Sequence, residues 1–464
     1  MRTSRNRRLQ GAAFALLLAA GLAAGALCGE GAAAPSAGTD RSTLPAGTDL
    51  GEGETRVPRE QFHSEFTGGR KPYLVRLGNM LFSSPQILGP AARQAGISCE
   101  TCHVAGTTNR RFFIPGASEK PGTFDTTSAL FNPKTDDGRL DAVRIPSLRG
   151  IRFLAPYGHD GRTASLRDFV RDVIVKEFSG PEPDPRVVDA IVAYLQDIDF
   201  LSNLRISADG RLAGSASAAE KRGEEIFERP FPRNPGLSCA SCHPPASGFT
   251  DHRQHDVHSG GPERTPTLLN ANFNAPYFHD GRFDSYAGVV DHFNRIFDLA
   301  LDARAQGDLV AYLTAVGDGW NPYEPAGIDD TMEELEDFES VVETAIAEHD
   351  RTTVALAVDV IGGELREMVE RFPDHKSTAF PEGRAERAKA RGAIKELILA
   401  LREVELQASG QRFDLAAEVL EGYQERRETA LPALHAAERF SLYNPDFSRA
   451  YLAAVKTARE GTGQ

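Results

Sequence analysis

Apolar residues recur at helical spacing along the C-terminal third of this 464-residue chain, with almost no strand-type alternation between them. The spacing predicts four helices, at 332–347, 354–372, 384–407 and 414–427. Pro373, Pro381 and Pro432 mark the predicted breaks. We therefore expect a helical bundle or an array of helical hairpins over residues 329–464, packed on the rest of the protein or offered to a partner.

The preceding region shows the same periodicity in two predicted helices, at 189–200 and 303–316. A shorter helix is expected before each of them, and Ser165 and Ser285 stand where they can cap its first turn. Each half of this region is therefore predicted to hold one helix, a meandering segment and two further helices.

The two halves of this region are copies of one another, because five short segments recur in the same order. Residues 77–82, 97–103, 145–148, 156–162 and 192–195 are repeated at 222–227, 237–243, 265–268, 276–282 and 310–313. An ordered repeat of this kind indicates a tandem duplication. The first half also carries about twenty extra residues, within the Gly-, Pro- and Asp-rich segment 113–141, and long loops in compact domains are often functional.

Each half contains one Cys-x-x-Cys-His motif, formed by Cys99, Cys102 and His103 and by Cys239, Cys242 and His243. This is the attachment signature of c-type haem, in which two thiols form thioethers and the histidine binds iron. A zinc knuckle or a redox dithiol is the alternative, which the histidine at the same position in both copies disfavours. We expect two covalent haems, one in a domain at 56–205 and one in a domain at 215–320, with the 113–141 insertion near the first.

The first 34 residues have the pattern of an export signal. Four arginines precede an apolar stretch at 11–27, and small residues at 31–34 offer cleavage sites. Cys28 lies in this leader, and as a lipoprotein anchor it would follow Leu27, which is bulky where that signal has a small residue. The other four cysteines belong to the haem motifs, so we expect no structural disulfide. The mature protein is expected to be soluble and periplasmic.

The composition indicates packed cores and an acidic surface. Hydrophobic residues make up 41% of the chain, and 66 acidic against 52 basic residues give a formal net charge of −14. This charge argues against nucleic acid and anionic membranes as partners. It suits a basic redox partner, although a solvated acidic surface explains it equally well. No segment after the leader is apolar enough to span a membrane.

The two haem motifs, the Thr-Pro-Thr-Leu-Leu-Asn run at 265–270 and the paired Pro-Tyr-x-His-Asp-Gly-Arg motifs resemble the bacterial di-haem cytochrome c peroxidases. That family includes the MauG-type enzymes, which oxidise tryptophans in a partner protein. The resemblance covers 56–320 and implies a mainly α fold with two tandem cytochrome c-type domains. It also implies that the first haem meets hydrogen peroxide and that the second takes electrons from a small cytochrome c or a cupredoxin. The family often has a calcium ion between the domains, and the sequence alone leaves open whether this chain binds one.

The sixth ligand of each iron is predicted to differ between the two halves. No histidine lies between His103 and His159, and the positions after His159 where the family could place a ligand hold Asp172 and Val173. The first iron is therefore expected to have an open distal face, as a peroxide site needs.

The second half holds six of the chain's twelve histidines within fifty residues, from His243 to His292. The family carries a Met or Tyr ligand in the helix where this chain has His292, which makes His292 the first candidate. His258 and then His255 follow, because peroxidases of this family can place a displaceable histidine on the loop after a haem motif. A solvated or supporting histidine is the alternative for each of them.

The resemblance also suggests residues for acid–base chemistry and haem binding. Glu177 lies where the family carries a distal acid, and a peroxidase needs one group to move a proton between the peroxide oxygens. If the helix after Ser165 persists, Phe169 and Val173 form its inward stripe and Glu177 continues that stripe. His159, with its equivalent His279, either fixes its loop through a propionate or a backbone carbonyl or acts near the haem edge. Arg162 and Arg282 are expected to bind propionates or nearby carboxylates.

The electron path between the haems is expected to depart from the family's pattern. The family often uses a tryptophan there, but the only tryptophan of this chain is Trp320, after the second domain. Tyr157, Tyr277 or direct transfer between haem edges is expected to serve instead.

The leading hypothesis is a periplasmic di-haem peroxidase that reduces hydrogen peroxide to water. A MauG-type oxidase that acts on a partner protein, with residues 329–464 as its docking surface, is the second hypothesis. A di-haem electron carrier is the third, and it would be favoured if both irons had strong ligands on both faces.

Overall fold

The computed structural model describes residues 43–51, 60–66, 71–319, 327–374 and 380–461. The predicted leader at 1–34, with Cys28, and the single tryptophan Trp320 lie outside these residues. The protein is mainly helical, as the sequence predicts. None of the helices in the described ranges is long and apolar enough to cross a lipid bilayer.

The elements follow the predicted order. The first haem domain contains helices α1 (His63–Phe66), α2 (Tyr73–Ser83), α3 (Pro90–Ala95), α4 (Cys99–Cys102), α5 (Leu166–Asp172) and α6 (Pro185–Asp197), and strands β1 (Thr123–Phe124) and β2 (Val143–Arg144). The second contains α7 (Ala218–Glu228), α8 (Cys239–Cys242), α9 (Tyr286–Ile296) and α10 (Ala303–Val316), with β3 (Gln254–Asp256) and β4 (Pro262–Arg264). The C-terminal helices are α11 (Ile328–Ala347), α12 (Arg351–Glu370), α13 (Arg384–Ser409), α14 (Phe413–Glu438) and α15 (Pro445–Gly461).

Each haem domain is built on a pair of helices that pack at very close range. A Cβ added to Gly78 of α2 would lie 2.0 Å from the carbonyl oxygen of Ala190 in α6. The equivalent Gly223 of α7 would meet the carbonyl oxygen of Asp308 in α10 at 2.1 Å. Only glycine allows this approach, so the duplicated glycine fixes the same helix crossing in both domains.

An aromatic pair fills the space beside each glycine crossing. The rings of Phe82 and Tyr194 are 5.1 Å apart in the first domain, and those of Phe227 and Tyr312 are 5.0 Å apart in the second. Both tyrosines come from the helix that closes the domain. The duplication seen in the sequence is therefore also a duplication of core packing.

The caps predicted after the Pro-Tyr motifs are confirmed. The hydroxyl oxygen of Ser165 accepts a hydrogen bond from the amide of Asp168, and that of Ser285 accepts one from the amide of Gly288. Both bonds satisfy an amide that the first helical turn leaves without a partner. The closing helix predicted at 303–316 has these bounds, and the one predicted at 189–200 is α6, which begins and ends earlier.

The C-terminal helices share a hydrophobic core with the first haem domain, whereas the second haem domain has a core of its own. Polar contacts cross the shared interface: Lys71 to Asp337 at 3.1 Å, Asn79 to Glu334 at 3.3 Å and Gln86 to Asp359 at 3.0 Å. Of the two arrangements left open by the sequence, packing on the rest of the protein is therefore the one observed.

One predicted break and one predicted boundary in this region are wrong. Pro432 lies inside α14, which continues to Glu438 instead of ending near residue 427. Neighbouring residues on the same helix, Ala430, Ala433 and Leu434, are buried, so packing against the bundle outweighs the backbone hydrogen bond that proline cannot make. Helix α15 was not among the predicted helices.

The two haem domains meet through a reciprocal backbone contact. The amide of Arg144 donates to the carbonyl of His279 at 2.6 Å, and the amide of Arg264 donates to the carbonyl of His159 at 2.8 Å. Arg144 and Arg264 hold the same place in the two copies, immediately before the repeated segments at 145–148 and 265–268. The domains are thus related by an approximate two-fold arrangement in which each contributes the same groups.

Candidate haem sites

Each Cys-x-x-Cys-His motif forms a single helical turn whose start is fixed by its own side chains. The amide of Ser98 donates to the hydroxyl of Thr101 at 3.0 Å, and the amide of Ser238 donates to that of Ser241 at 2.9 Å. The histidine follows directly at the end of the turn. This turn brings both cysteines and the histidine of each motif to one place in the fold.

Each motif histidine is fixed through its Nδ1, which leaves the other ring nitrogen, Nε2, available to bind iron. Nδ1 of His103 lies 2.9 Å from the carbonyl oxygen of Pro146, and Nδ1 of His243 lies 2.9 Å from that of Phe249. A ring N–H that donates to a carbonyl fixes the tautomer and leaves Nε2 with its lone pair for the metal. Burial lowers the pKa of His103 to about 4 and also lowers the pKa of His243, so both rings are neutral.

Burial raises the pKa of Cys99 and of Cys239 to about 12. A neutral imidazole with an available Nε2 beside two cysteine thiols is the donor set that a covalently attached haem requires. The residues present therefore fit a c-type haem in each half.

The helix after the first Pro-Tyr motif continues past its α-helical part, but its inward face differs from the predicted one. Helix α5 runs into one π-helical turn at Val173–Glu177. The buried series is Leu166, Val170, Ile174 and Phe178, while Phe169 and Val173 are only partly buried. The predicted stripe is therefore wrong by one position, because the neighbouring series packs into the domain core.

Glu177 closes this π turn and is mostly buried, with 17% of its side chain exposed. Its Oε1 accepts a hydrogen bond from Nη2 of Arg162 at 3.3 Å. Burial raises the pKa of Glu177 to about 7, the charge of Arg162 opposes this rise and the charge of Asp172 adds to it. The same carboxylate raises the pKa of Cys102, which places Glu177 close to the first haem motif.

Glu177 therefore has a basic partner in the fold. Arg162 precedes Glu177 by fifteen residues, and the turn between them brings the guanidinium back to the carboxylate. Asp172, one of the two residues at the predicted position of a sixth ligand, is engaged with Lys176 at 2.7 Å.

The 113–141 insertion packs against the residues on both sides of Glu177. The side-chain amide of Asn132 donates to the carbonyl of Lys176, and the ring of Phe124 stacks on that of Phe178 with 5.8 Å between centroids. Nζ of Lys120 reaches the second domain, where it binds the carbonyl of Gly281 and the carboxylate of Asp284, each at 2.7 Å. The insertion thus holds the π turn and joins it to the other half.

The histidine of the first Pro-Tyr motif is fixed by a backbone carbonyl. Nε2 of His159 lies 2.7 Å from the carbonyl oxygen of Arg144, and burial lowers the pKa of His159 to about 3. A backbone carbonyl was one of the two loop-fixing partners expected for His159, and the carbonyl of Arg144 fills that role. His279, its equivalent, has Nδ1 3.6 Å from Oε1 of Glu263, and burial lowers its pKa as well.

The two leading candidates for the sixth ligand of the second iron lie next to each other. Nε2 of His292, on α9, lies 2.8 Å from the carbonyl oxygen of Val257, the residue that precedes His258. His292 is buried among aromatic rings, with Phe278 at 5.0 Å, whereas His258 is exposed. In this arrangement His292 can bind iron only through Nδ1, or through Nε2 after the contact with Val257 breaks.

A comparison with protein-family models finds a match in the second half of the chain. Residues 219–356 match the family model described as di-haem cytochrome c peroxidase. Residues 219–356 are therefore similar to a di-haem cytochrome c peroxidase domain. The resemblance seen in the motifs is confirmed, and the match extends beyond the expected residue 320 through α11 into α12. The family consists of oxidoreductases that carry haem.

Two curated proteins are similar to parts of this chain. Hydrazine synthase subunit gamma of Kuenenia stuttgartiensis is 27% identical over 222 residues, which are 44% of this chain and 53% of that protein. A cytochrome-c peroxidase of Denitromonas iodatirespirans is 32% identical over 107 residues, which are 20% of this chain and 29% of that protein. The chain thus spans about half of the first relative and less than a third of the second.

A solved structure of Kuenenia stuttgartiensis hydrazine synthase is also similar to this chain. It has a TM-score of 0.39 and 22% sequence identity, and the alignment covers 62% of this chain and 96% of that one.

The two arginines of the Pro-Tyr motifs are engaged with carboxylates of the protein itself. Arg162 binds Asp160 at 3.2 Å as well as Glu177, and Arg282 binds Asp280 and the carbonyl of Ser259. Of the two partners expected from the sequence, the nearby carboxylate is the one present, and propionate binding by these arginines stays a prediction. Arg144 and Arg264, whose side chains lie at the contact between the domains, were not among the residues singled out from the sequence.

One group of side chains in the described ranges has metal-ligand spacing. The ligand atoms of Cys242, Asp251 and His255 lie within 4.8 Å of one another, and His255 binds Asp251 at 2.7 Å. A thioether sulfur carries no negative charge, so haem attachment at Cys242 would leave a histidine–aspartate pair there. The calcium ion between the domains stays a prediction from the family.

Proposed function

We propose that this chain is a periplasmic di-haem c-type peroxidase that reduces hydrogen peroxide to water with electrons from a small cytochrome c or a cupredoxin. The observation that supports it best is Glu177, a mostly buried carboxylate beside the first haem motif whose pKa is about 7. A general acid–base group works best when its pKa lies near the working pH. The family match and the cytochrome-c peroxidase relative support the same reaction class.

In this proposal the first half carries out peroxide chemistry and the second half receives electrons. When bound, the haem supplies iron for peroxide binding and the redox equivalents. Glu177 takes the proton from the peroxide oxygen that binds first and returns it to the departing oxygen. Two electrons and two protons then convert one hydrogen peroxide into two waters. Arg162 keeps Glu177 in place and prevents its pKa from rising further.

The remaining side chains support this division. His103 and His243 bind the two irons, each fixed by a backbone carbonyl on the other ring nitrogen. The insertion 113–141 covers the π turn that carries Glu177 and reaches the second domain. In the second half, His292 and the neighbouring His258 are the proposed sixth ligands of the electron-transfer iron, an arrangement suited to electron transfer rather than peroxide binding.

The first test is haem content. Protein from a host with cytochrome c maturation should carry two covalent haems per chain by intact mass. The double variant Cys99→Ala and Cys102→Ala should carry one. A haem-free, zinc-containing protein would end the proposal.

The second test is peroxide turnover by the intact holoprotein with a reduced small cytochrome as donor. Glu177→Gln should leave both haem spectra nearly unchanged, since no iron ligand is altered. Peroxide reduction should fall on the order of 10²-fold or more, the usual scale for loss of a general acid–base group. Wild-type turnover in this variant would remove Glu177 from the mechanism.

A MauG-type oxidase that acts on a partner protein is the second candidate. It is favoured by exposed leucines on the C-terminal helices, with Leu399 and Leu406 two turns apart on α13 and 63% and 57% exposed. We propose that these two leucines belong to a contiguous apolar patch of the kind that marks protein–protein interfaces. Peroxide turnover that requires a specific partner protein, and that is lost in a Leu399→Glu and Leu406→Glu double variant, would favour this candidate over the first.

A further inference from the structure

We propose that Arg144 and Arg264 bind the propionate carboxylates of the two haems at the contact between the haem domains and raise the reduction potentials of those haems. The proposal rests on haem binding by both motifs, which is part of the proposed function. It does not require that the protein be a peroxidase.

Both arginines lie beside a proximal histidine. Arg144 precedes by two residues Pro146, whose carbonyl accepts the hydrogen bond of His103. Arg264 precedes by two residues Pro266, whose carbonyl lies beside His243. The repeated segment that orients the iron ligand therefore begins, in each half, with an arginine. This position puts both guanidinium groups within reach of a haem edge.

Each arginine side chain crosses to the other half. Nη1 of Arg144 lies 3.4 Å from the carbonyl oxygen of Asn274, and its charge acts on Tyr277. The side chain of Arg264 passes Gly161, where an added Cβ would lie 3.5 Å from its Cδ, and its charge acts on Tyr157. The exchange is symmetric, because Tyr157 and Tyr277 are equivalent residues of the Pro-Tyr motifs.

The charges of these two side chains are uncompensated in the protein itself. Among the described residues, no ion pair joins Arg144 or Arg264 to a carboxylate, and Nε of each is buried without a hydrogen-bond partner. Burial lowers the pKa of Arg144 to about 10 and also lowers the pKa of Arg264. The two guanidinium groups also repel each other. A buried guanidinium normally has an anionic partner. The protein itself supplies no such partner to Arg144 or Arg264 among the described residues.

The neighbouring titratable groups do not supply those anions. Asp160 and Asp280 are bound by Arg162 and Arg282, the arginines of their own motifs. Glu263 faces His279 rather than either guanidinium, and burial raises its pKa to about 7. His159 and His279 are neutral because burial lowers the pKa of each.

Haem propionates match these requirements. Two haems bring four carboxylates, and a guanidinium binds a carboxylate through two parallel N–H groups. A positive charge near the haem edge disfavours the ferric state, which carries one more positive charge than the ferrous state. Loss of either arginine should therefore lower a reduction potential, and loss of both should lower the two potentials together.

The experiment is a spectroelectrochemical titration of holoprotein with two haems verified by intact mass. In Arg144→Gln and in Arg264→Gln we expect the ratio of reduced to oxidised haem at a fixed potential to fall on the order of tenfold at one haem or more, which equals about 59 mV for one electron. The double variant should show the fall at both haems. Arg211→Gln is the matched control, since Arg211 has a carboxylate partner in Glu228 and no proposed contact with a haem, and it should show no such fall.

Unchanged potentials in both Gln variants, with two haems attached, would overturn the proposal. If the Gln variants do not retain haem, Arg144→Lys and Arg264→Lys carry the test, because lysine keeps the charge but not the two parallel N–H groups. Their propionate bending bands in resonance Raman spectra should shift from the wild-type positions, and unchanged bands would overturn the proposal. A wild-type protein without haem would instead refute the proposed function, so the two failures are distinguishable.

Discussion

Arg162 and Glu177 form a hydrogen-bonded ion pair in which Nη2 lies 3.3 Å from Oε1. The arginine side chain is half exposed, whereas the carboxylate is mostly buried next to the first haem motif. Burial raises the pKa of Glu177 to about 7, and the arginine limits that rise. The pair therefore holds a carboxylate whose proton is exchangeable near neutral pH.

The first prediction concerns the pH dependence of peroxide reduction. Because the base form of Glu177 is needed, kcat/KM should rise with pH through about 7. Arg162→Gln removes a charge that lowers the pKa of Glu177, so the rise should move to higher pH. Asp172→Asn removes a charge that raises this pKa, so the rise should move to lower pH. The check is a pH profile of kcat/KM, and a rise that persists unchanged in Glu177→Gln would contradict the assignment.

The second prediction concerns the sixth ligand of the second iron. We expect the oxidised protein to show one high-spin and one low-spin haem in its electron paramagnetic resonance spectrum. His292→Ala should convert the low-spin signal to high-spin, because a ligand nitrogen is lost. His258→Ala is the matched comparison, since its histidine follows the residue that His292 contacts. If only the His258 variant converts the signal, His258 is the ligand and His292 supports its loop.

The third prediction concerns the close helix crossing in the second haem domain. Gly223→Ala should destabilise the protein by roughly 3 kcal/mol, because the added Cβ would lie 2.1 Å from a carbonyl oxygen of α10. Gly307→Ala, in α10 itself, has no heavy atom within 4 Å of the added Cβ. It should stabilise the helix by up to about 1 kcal/mol. Denaturant unfolding of the two variants gives opposite signs if the crossing is as described, and equal effects would refute it.

The fourth prediction concerns the buried acidic residues between the first haem domain and the C-terminal helices. Burial raises the pKa of Glu334 to about 7, the charge of Glu60 adds to this rise, and Lys71 and Asn79 oppose it. A carboxyl whose folded pKa lies above its unfolded pKa of about 4.5 destabilises the fold as pH rises through that interval. Glu334→Gln should therefore be more stable than wild type at pH 8.

The expected gain is on the order of 2 kcal/mol at pH 8 and should vanish at about pH 3.5 and below, where the wild-type carboxyl is protonated in both states. Denaturant unfolding at the two pH values measures it. Glu333→Gln, at the exposed neighbouring position, is the matched control. A gain of equal size at both pH values would show that packing, and not ionisation, is responsible.

Much of the fold could be predicted from the chain alone because its signals are local. The Cys-x-x-Cys-His turns, the caps at Ser165 and Ser285 and the closing helix at 303–316 each depend on residues within a few turns of one another. The duplication was also visible, since equivalent residues such as Gly78 and Gly223 keep their order. The inward face of α5 could not be chosen, because two neighbouring apolar series, one with Phe169 and one with Val170, both have helical spacing.

The sequence by itself determined the two haem motifs, the duplicated domains, the helical C-terminal region and the candidate role of Glu177. The tertiary structure alone decided what those residues meet: Arg162 beside Glu177, the exchange of Arg144 and Arg264 across the domain contact, and the shared core of the C-terminal helices with the first domain. It also decided that Pro432 stays inside a helix. The physical reason is that periodicity and caps arise from neighbouring residues, whereas ion pairs and buried interfaces depend on which distant segments the fold brings together.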